Sequence, residues 1–185
     1  MSPNYAILMK TRKPLPAARV QSIKEIIVMK TIGFIGVGIM GKSMVRNLMK
    51  AGFEVAIYTR TKAKVEDVIR EGALWCDTVA ACAADRDVVI SIVGYPKDVE
   101  EIYLGKNGIL ASARKGAYLI DMTTSSPKLA ARIYEEAKAA GLCALDAPVT
   151  GGDSGAKAGT LTILAGGDRE AFDACLPVFQ AMGRN

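Results

Sequence analysis

Histidine is absent from all 185 residues. Without it the chain cannot build a Ser-His-Asp or Cys-His nucleophile, an HExxH zinc site or a histidine acid–base, so any proton transfer falls to Lys, Tyr, Asp or Glu. Aromatic residues are scarce at 6% although half the residues are apolar. No apolar run approaches the roughly 18 residues that span a bilayer, so a soluble α/β domain in the cytoplasm is expected, with no membrane partner. Cys76, Cys82, Cys143 and Cys175 show no CxxC or other ligand spacing. They read as reduced, buried, small apolar residues, and no metal site is expected.

The formal net charge of +5 would suit a nucleic-acid partner if it were spread over one face. Instead Lys10, Arg12, Lys13, Arg19 and Lys24 stand against Glu25 alone, so four of the five net charges fall in residues 1–29. The remainder implies no basic face and no nucleic-acid partner. Residues 1–29 also carry Pro14 and Pro16 and no sustained period before Ile23, while Met29-Lys30 would serve as a start. They read as an extension or a misplaced start, because the prolines interrupt a transit helix and Ile7-Leu8-Met9 is too short for a signal core.

What is present begins at Thr31-Ile32-Gly33-Phe34-Ile35, an apolar run followed at once by Gly36-Val37-Gly38-Ile39-Met40-Gly41. A GxGxxG alone could be an ordinary loop, but here it joins a strand to a helix. In that setting the first glycine allows the turn, the second lets backbone approach a pyrophosphate, and the third lets helix and strand pack closely. Met44, Val45, Leu48 and Met49 lie on one helical stripe between Lys42 and Lys50, Ala51-Gly52 ends it, and Phe53 to Tyr58 reads as the next strand.

The alternation continues through short strands at Ala73-Leu74-Trp75, Asp87 to Val93, Ala117 to Ile120, Leu142 to Leu145 and Leu161 to Leu164. Helices are expected over Thr78 to Ala84, Asp98 to Leu104 and Pro127 to Ala140, the last with Ser126 as N-cap and Gly141 past its end. This pattern predicts a doubly wound, mostly parallel sheet whose ligand lies beyond the strands' C-terminal ends.

Those ends carry the remaining chemistry. After the second strand stands Tyr58-Thr59-Arg60-Thr61-Lys62, with no carboxylate to hold ribose hydroxyls. Arg60 can pair bidentately with a 2′-phosphate, so NADP fits better than NAD; the alternative is that Arg60 only opens a solvated helix. Val93-Gly94 follows a later strand, and Thr123 and Thr124 follow another. Either threonine hydroxyl could meet a nicotinamide, or both could serve turn chemistry. Between Asp146 and Thr160, glycines at 151, 152, 155 and 159 predict a loop with exposed N–H groups suited to a carboxylate; a plain flexible turn is the alternative.

GVGIMGKSMVRNL, the Thr-Arg-Thr at 59–61, DMTTSSP and DAPVTGGDSGAKAGTLTILAGG together resemble the β-hydroxyacid dehydrogenases, of the 3-hydroxyisobutyrate dehydrogenase and 2-hydroxy-3-oxopropionate (tartronate semialdehyde) reductase type, from about Lys30 onward. The resemblance implies a Rossmann-like NAD(P)-binding domain over 30–185. Cofactor contacts would fall at Gly36, Val37, Gly38, Ile39, Met40, Gly41, Arg60, Thr61, Val93, Gly94 and Thr124. It places the substrate carboxylate at Thr150, Gly151 and Gly152. Thr59 and Thr150 depart from the family's usual Asn and Ser, and Val93-Gly94 from its usual Leu-Pro. The implied substrate is a small carboxylate-bearing hydroxy acid or semialdehyde, and homo-oligomers are expected of the full-length protein.

The family's proton-transfer lysine belongs to a later glycine-rich motif that opens an all-helical domain, and neither is found before Asn185. Lys157 matches the substrate segment instead, so no catalytic residue is assigned. Phe172, Leu176, Val178 and Phe179 are expected to leave an apolar surface, with Asp168 capping their helix. Tyr134-Glu135-Glu136-Ala137-Lys138 fits the YxxxK of short-chain dehydrogenases, but so does Tyr58 to Lys62, and the glycine spacing is wrong for that family. A non-catalytic dinucleotide-binding module is the alternative from another class.

Overall fold

The computed structural model describes residues 29–184; the expected extension over 1–29 lies outside them except for Met29. The chain runs β1 (Thr31–Ile35), α1 (Ile39–Lys50), β2 (Glu54–Tyr58), a 3-10 turn (Lys62–Val65), α2 (Glu66–Arg70), β3 (Leu74–Trp75), α3 (Val79–Ala83) and β4 (Val88–Ser91). It continues through α4 (Pro96–Leu104), α5 (Ile109–Ser112), β5 (Tyr118–Asp121), α6 (Pro127–Ala139) and β6 (Cys143–Asp146). Last come β7 (Val149–Thr150), α7 (Gly152–Ala158), β8 (Thr162–Ile163), β9 (Gly166–Gly167) and α8 (Arg169–Met182).

Seven strands form one sheet in the order β3-β2-β1-β4-β5-β6-β9, parallel except for the β6–β9 pair. Strand alternation sends Ile32 and Phe34 to one face of β1 and Ile35 to the other, and Val88 and Ile90 opposite Val89 on β4. Both faces are covered, by α1, α7 and α8 on one side and by α3, α4, α5 and α6 on the other. That explains why the strands read as continuous apolar runs. The expected doubly wound sheet is therefore observed, and because β1, β2, β4, β5 and β6 are parallel, their C-terminal ends share one edge.

The departures lie after β6. Leu161 to Leu164 does not join the parallel sheet: only Thr162–Ile163 is strand, paired antiparallel with β7 as a separate hairpin. The place beside β6 goes to Gly166–Gly167, where a Cβ on Gly167 would stand 2.7 Å from Leu145 Cδ2 and 2.9 Å from the Ala144 carbonyl oxygen. The glycine-rich segment is not a loop either, since Gly152–Ala158 is helix. Packing overrides propensity there: Asn47 Nδ2 donates to the Ala156 carbonyl at 2.8 Å, and Gly155 and Ala156 are buried.

Two expected caps also change. Ser126 holds the N-cap position of α6 without a side-chain capping bond, and Asp168 instead accepts a hydrogen bond from the Tyr134 hydroxyl at 2.9 Å. On α8, Val178 and Phe179 are buried and Phe172 stacks on Phe179, so only Leu176 of the four expected apolar residues is exposed. Cys82 and Cys175 are buried as expected, whereas Cys76 and Cys143 are half-buried; all four are free. Among the described residues no helix is long and apolar enough to cross a membrane.

Candidate dinucleotide site

The turn after β1 is held by backbone bonds. Gly36 N–H donates to the Tyr58 carbonyl at 2.9 Å, Gly38 N–H to Gly36 at 2.9 Å, and Lys42 N–H to Gly38 at 3.0 Å. Gly36 sits at φ +98, and a Cβ there would overlap the Ile92 carbonyl oxygen. On Gly41 a Cβ would stand 2.5 Å from the Gly36 carbonyl oxygen. Gly38 differs, because a Cβ there would meet nothing within 4 Å and the residue is exposed. Gly38 caps α1 without a side chain, and no acid lies in the first turn. The helix therefore presents unpaired N–H groups and its positive end to open space, the arrangement that holds an anion such as a pyrophosphate.

A groove of about 750 Å³ opens from this turn along the C-terminal edge of the sheet. Of the sequence-predicted contacts, Gly36, Gly38, Ile39, Met40, Gly41, Arg60, Val93 and Gly94 line it. Four groups of predicted residues fall elsewhere. Val37 is 3% exposed as a whole residue, packed within the core and off the groove wall. Thr61 is exposed before the 3-10 turn, where its carbonyl accepts from Lys64 N–H at 3.1 Å. Thr124 is exposed beyond β5 and lines no part of the groove. Thr150, Gly151 and Gly152 are exposed at the exit of the β7 hairpin strand.

The two threonines after β5 separate cleanly. Thr123 is buried and its hydroxyl accepts from the Val93 N–H at 3.0 Å, tying the β4 exit to the β5 exit. Beneath it, Ser91 donates to Asp121 Oδ1 at 2.8 Å and shares a 3.0 Å hydrogen bond with the Tyr103 hydroxyl. Burial pushes both the Asp121 carboxyl and the Tyr103 hydroxyl upward from their ordinary ranges. This network holds the Val93 wall of the groove, and of the two threonines Thr124 is the one whose hydroxyl has no hydrogen-bond partner among the described residues.

Arg60 extends from the end of β2 with 82% of its side chain exposed, and Asp98 Oδ1 at 3.6 Å is its ion-pair partner. Asp98 Oδ2 is buried without a hydrogen-bond partner, so the groove offers an acceptor to a ligand hydroxyl or amine. Sequence reasoning missed Asp98, Asp77, Thr78 and the 105–108 turn as groove walls. The signal available for Thr78 was its capping role, since its hydroxyl accepts from Ala81 N–H at 3.0 Å. Lys157 is exposed and paired with Asp153 at 2.7 Å.

Residues 31–185 match the NAD binding domain of 6-phosphogluconate dehydrogenase. The chain is 58% identical over 156 residues to YkwC, an uncharacterized oxidoreductase of Bacillus subtilis strain 168, covering 84% of this chain and 54% of the relative. It is 41% identical over 157 residues to the NAD-dependent L-serine dehydrogenase of Pseudomonas aeruginosa PAO1, covering 85% and 53%. Among solved structures it is similar to the 3-hydroxyisobutyrate dehydrogenase of Mycobacterium tuberculosis with L-serine, at 33% identity and a TM-score of 0.79, covering 84% and 53%. The chain thus spans about half the length of the relatives it matches. With its glycine turn, sheet order and groove, the chain belongs to the family of the 6-phosphogluconate dehydrogenase NAD-binding domain, beside 3-hydroxyisobutyrate dehydrogenases and related oxidoreductases.

Proposed function

We propose that this chain is the dinucleotide-binding part of an oxidoreductase that interconverts a small 3-hydroxy acid and its semialdehyde or oxo acid, with NADP(H) as cofactor. The observation that carries this reading is the open backbone at Gly38 in front of an uncapped, acid-free α1. When bound, the dinucleotide supplies two-electron redox chemistry at its nicotinamide. The chain's own residues do the holding. Gly38 and the first N–H groups of α1 take the pyrophosphate, Arg60 takes a 2′-phosphate, Asp98 Oδ2 accepts from a ligand donor, and Thr124 offers a hydroxyl near the nicotinamide.

Thr150 and the Gly151 and Gly152 amides are proposed to orient the substrate carboxylate. They follow the C-terminal end of β6 through Ala147-Pro148 and the short β7, and β6 ends at the same sheet edge as β1 before the Gly36–Gly41 turn. The nearest acid, Asp153, is neutralised by Lys157, which removes one source of repulsion. That pairing, with the exposure of Lys157, is a surface role, and proton transfer is assigned to a lysine from the part of the relatives' length that this chain does not span. Residues 1–185 are accordingly expected to bind dinucleotide without appreciable turnover. Homo-oligomerisation is proposed for the whole protein. The named dehydrogenases among the relatives favour this enzyme reading over a non-catalytic module.

Trp75 is the single tryptophan and stacks at 6.3 Å on Tyr58, which lines the groove, so its fluorescence is the probe for binding. Titration with NADPH and NADH is expected to give NADPH roughly tenfold or greater preference, about 1.4 kcal/mol, and Arg60→Ala to erase it. Preference for NADH in the unaltered protein would remove Arg60 from this role.

A further inference from the structure

In dinucleotide-binding folds of this kind an acid beyond the second strand accepts from the adenosine ribose hydroxyls. Here that place, Tyr58-Thr59-Arg60-Thr61-Lys62, has no carboxylate. The fold brings one in from the facing wall: Asp98, in the first turn of α4, lies on the groove with Oδ1 3.6 Å from Arg60 Nη1. That separation is longer than a hydrogen bond, so charge alone links the two side chains and the guanidinium keeps its donors for a ligand. Asp98 Oδ2 has no hydrogen-bond partner and lies against Gly94, where an added Cβ would stand 3.4 Å from it. The charged residues lining the groove are Arg60 and Lys106 against Asp77, Asp98 and Glu101. Asp77 accepts from Trp75 Nε1–H at 2.7 Å, and Asp98 is the acid that pairs with Arg60.

We propose that Asp98 is a specificity-determining residue at the adenosine end of the groove, accepting from a free ribose 2′-hydroxyl and opposing the 2′-phosphate that Arg60 attracts. The inference rests on the dinucleotide reading above and sharpens it. A phosphate that engages the guanidinium comes within one guanidinium's width of the carboxylate, where like charges repel. A hydroxyl meets the same two side chains without conflict, since it donates to Asp98 Oδ1 while accepting from Arg60.

Asp98 gives little back by orienting Arg60. The Arg60 side chain is 82% exposed, and an exposed ion pair of this length holds its partners weakly. Repulsion therefore outweighs orientation, and the two residues pull the choice of cofactor in opposite directions.

Dissociation constants for NADPH and NADH, read through Trp75 in the unaltered protein and in Asp98→Asn, test this directly. The substitution keeps the side chain's shape and removes its charge. It is expected to raise the preference for NADPH over NADH by about tenfold, where Arg60→Ala lowers it. A ligand change makes a second test on the unaltered protein, with no risk to its fold. There 2′-deoxy-NADH is expected to bind about fivefold more weakly than NADH, the loss of one hydrogen bond. Equal binding of NADH and its 2′-deoxy form, or a preference that stays or falls in Asp98→Asn, overturns the proposal. Failure of the unaltered protein to bind either dinucleotide overturns the reading of the groove itself, whereas binding of both with an unmoved preference overturns the role of Asp98 alone.

Discussion

The Gly36–Gly41 turn follows β1 and the Thr150–Gly159 segment follows β6 by way of β7, but the first is packed shut at Gly36 and Gly41 where the second stands open at Gly152. At Gly36 a Cβ would overlap the Ile92 backbone, and at Gly41 it would press on Gly36 itself. At Gly152 it would meet nothing within 4 Å, and at Gly151 nothing nearer than the flexible end of Leu161 at 3.3 Å, with backbone at an ordinary 3.7 Å. Glycine in the first segment answers a steric demand from the strand next door. In the second it answers only a backbone demand, φ +124 at Gly151 and +60 at Gly152, where β7 turns into α7. Motif spacing is a reliable guide to structure in the first case because three elements meet there and no side chain fits at Gly36 or Gly41.

The sharpest way to break this contrast is Gly36→Ala. The added methyl must displace the Ile92 backbone while adopting φ +98, and combined overpacking and strain are expected to cost on the order of 3–5 kcal/mol. Urea unfolding followed by circular dichroism would measure it. A loss below about 1 kcal/mol would mean that the turn relaxes freely and that the two segments do not differ as described.

The same contrast explains what was legible in the sequence. Strands β1, β2, β4, β5 and β6 and the helices between them announce themselves because burial on both faces makes the apolar runs continuous, and capping residues punctuate them. After β6 the signals conflict. Gly155 suggests a loop but allows α7 to bury against α1, and Gly166–Gly167 carries no strand propensity yet fills the sheet edge through close backbone approach. Leu161 to Leu164 looks like the next parallel strand, but the chain has already left the sheet for the β7–β8 hairpin. In the site, the places of Arg60 and the glycine turn on the groove were legible because each closely follows a strand's C-terminal end. Asp98 was not, because its importance comes from an unpartnered oxygen that only the tertiary arrangement reveals. Thr123 and Thr124 look equivalent in sequence; the Val93 N–H decides which of them is consumed.

Gly152→Ala tests the open segment. With no clash and φ +60, the cost is expected to be about 1 kcal/mol, the penalty for placing an ordinary residue in the left-handed region. Urea midpoints for this variant and Gly36→Ala, measured together, should differ severalfold. Equal losses would show that the left-handed backbone alone, and not the Ile92 contact, sets the cost in both turns.

The smallest expected change in stability is the most informative, and it belongs to Gly38→Ala. Gly38 has φ −84 and ψ −157, extended geometry that alanine adopts without strain, and its Cβ would enter empty space. Stability should therefore stay within about 0.5 kcal/mol of the unaltered protein, as for an ordinary surface substitution. Yet that empty space is where the proposed pyrophosphate approaches the backbone, so NADPH affinity measured through Trp75 should fall tenfold or more, at least about 1.4 kcal/mol. A variant that loses stability but binds normally would place Gly38 with Gly36, as a packing glycine. A variant that keeps its stability and loses the dinucleotide separates ligand space from packing space within one six-residue turn, a division that the neighbouring Gly36 and Gly41 already bracket on either side.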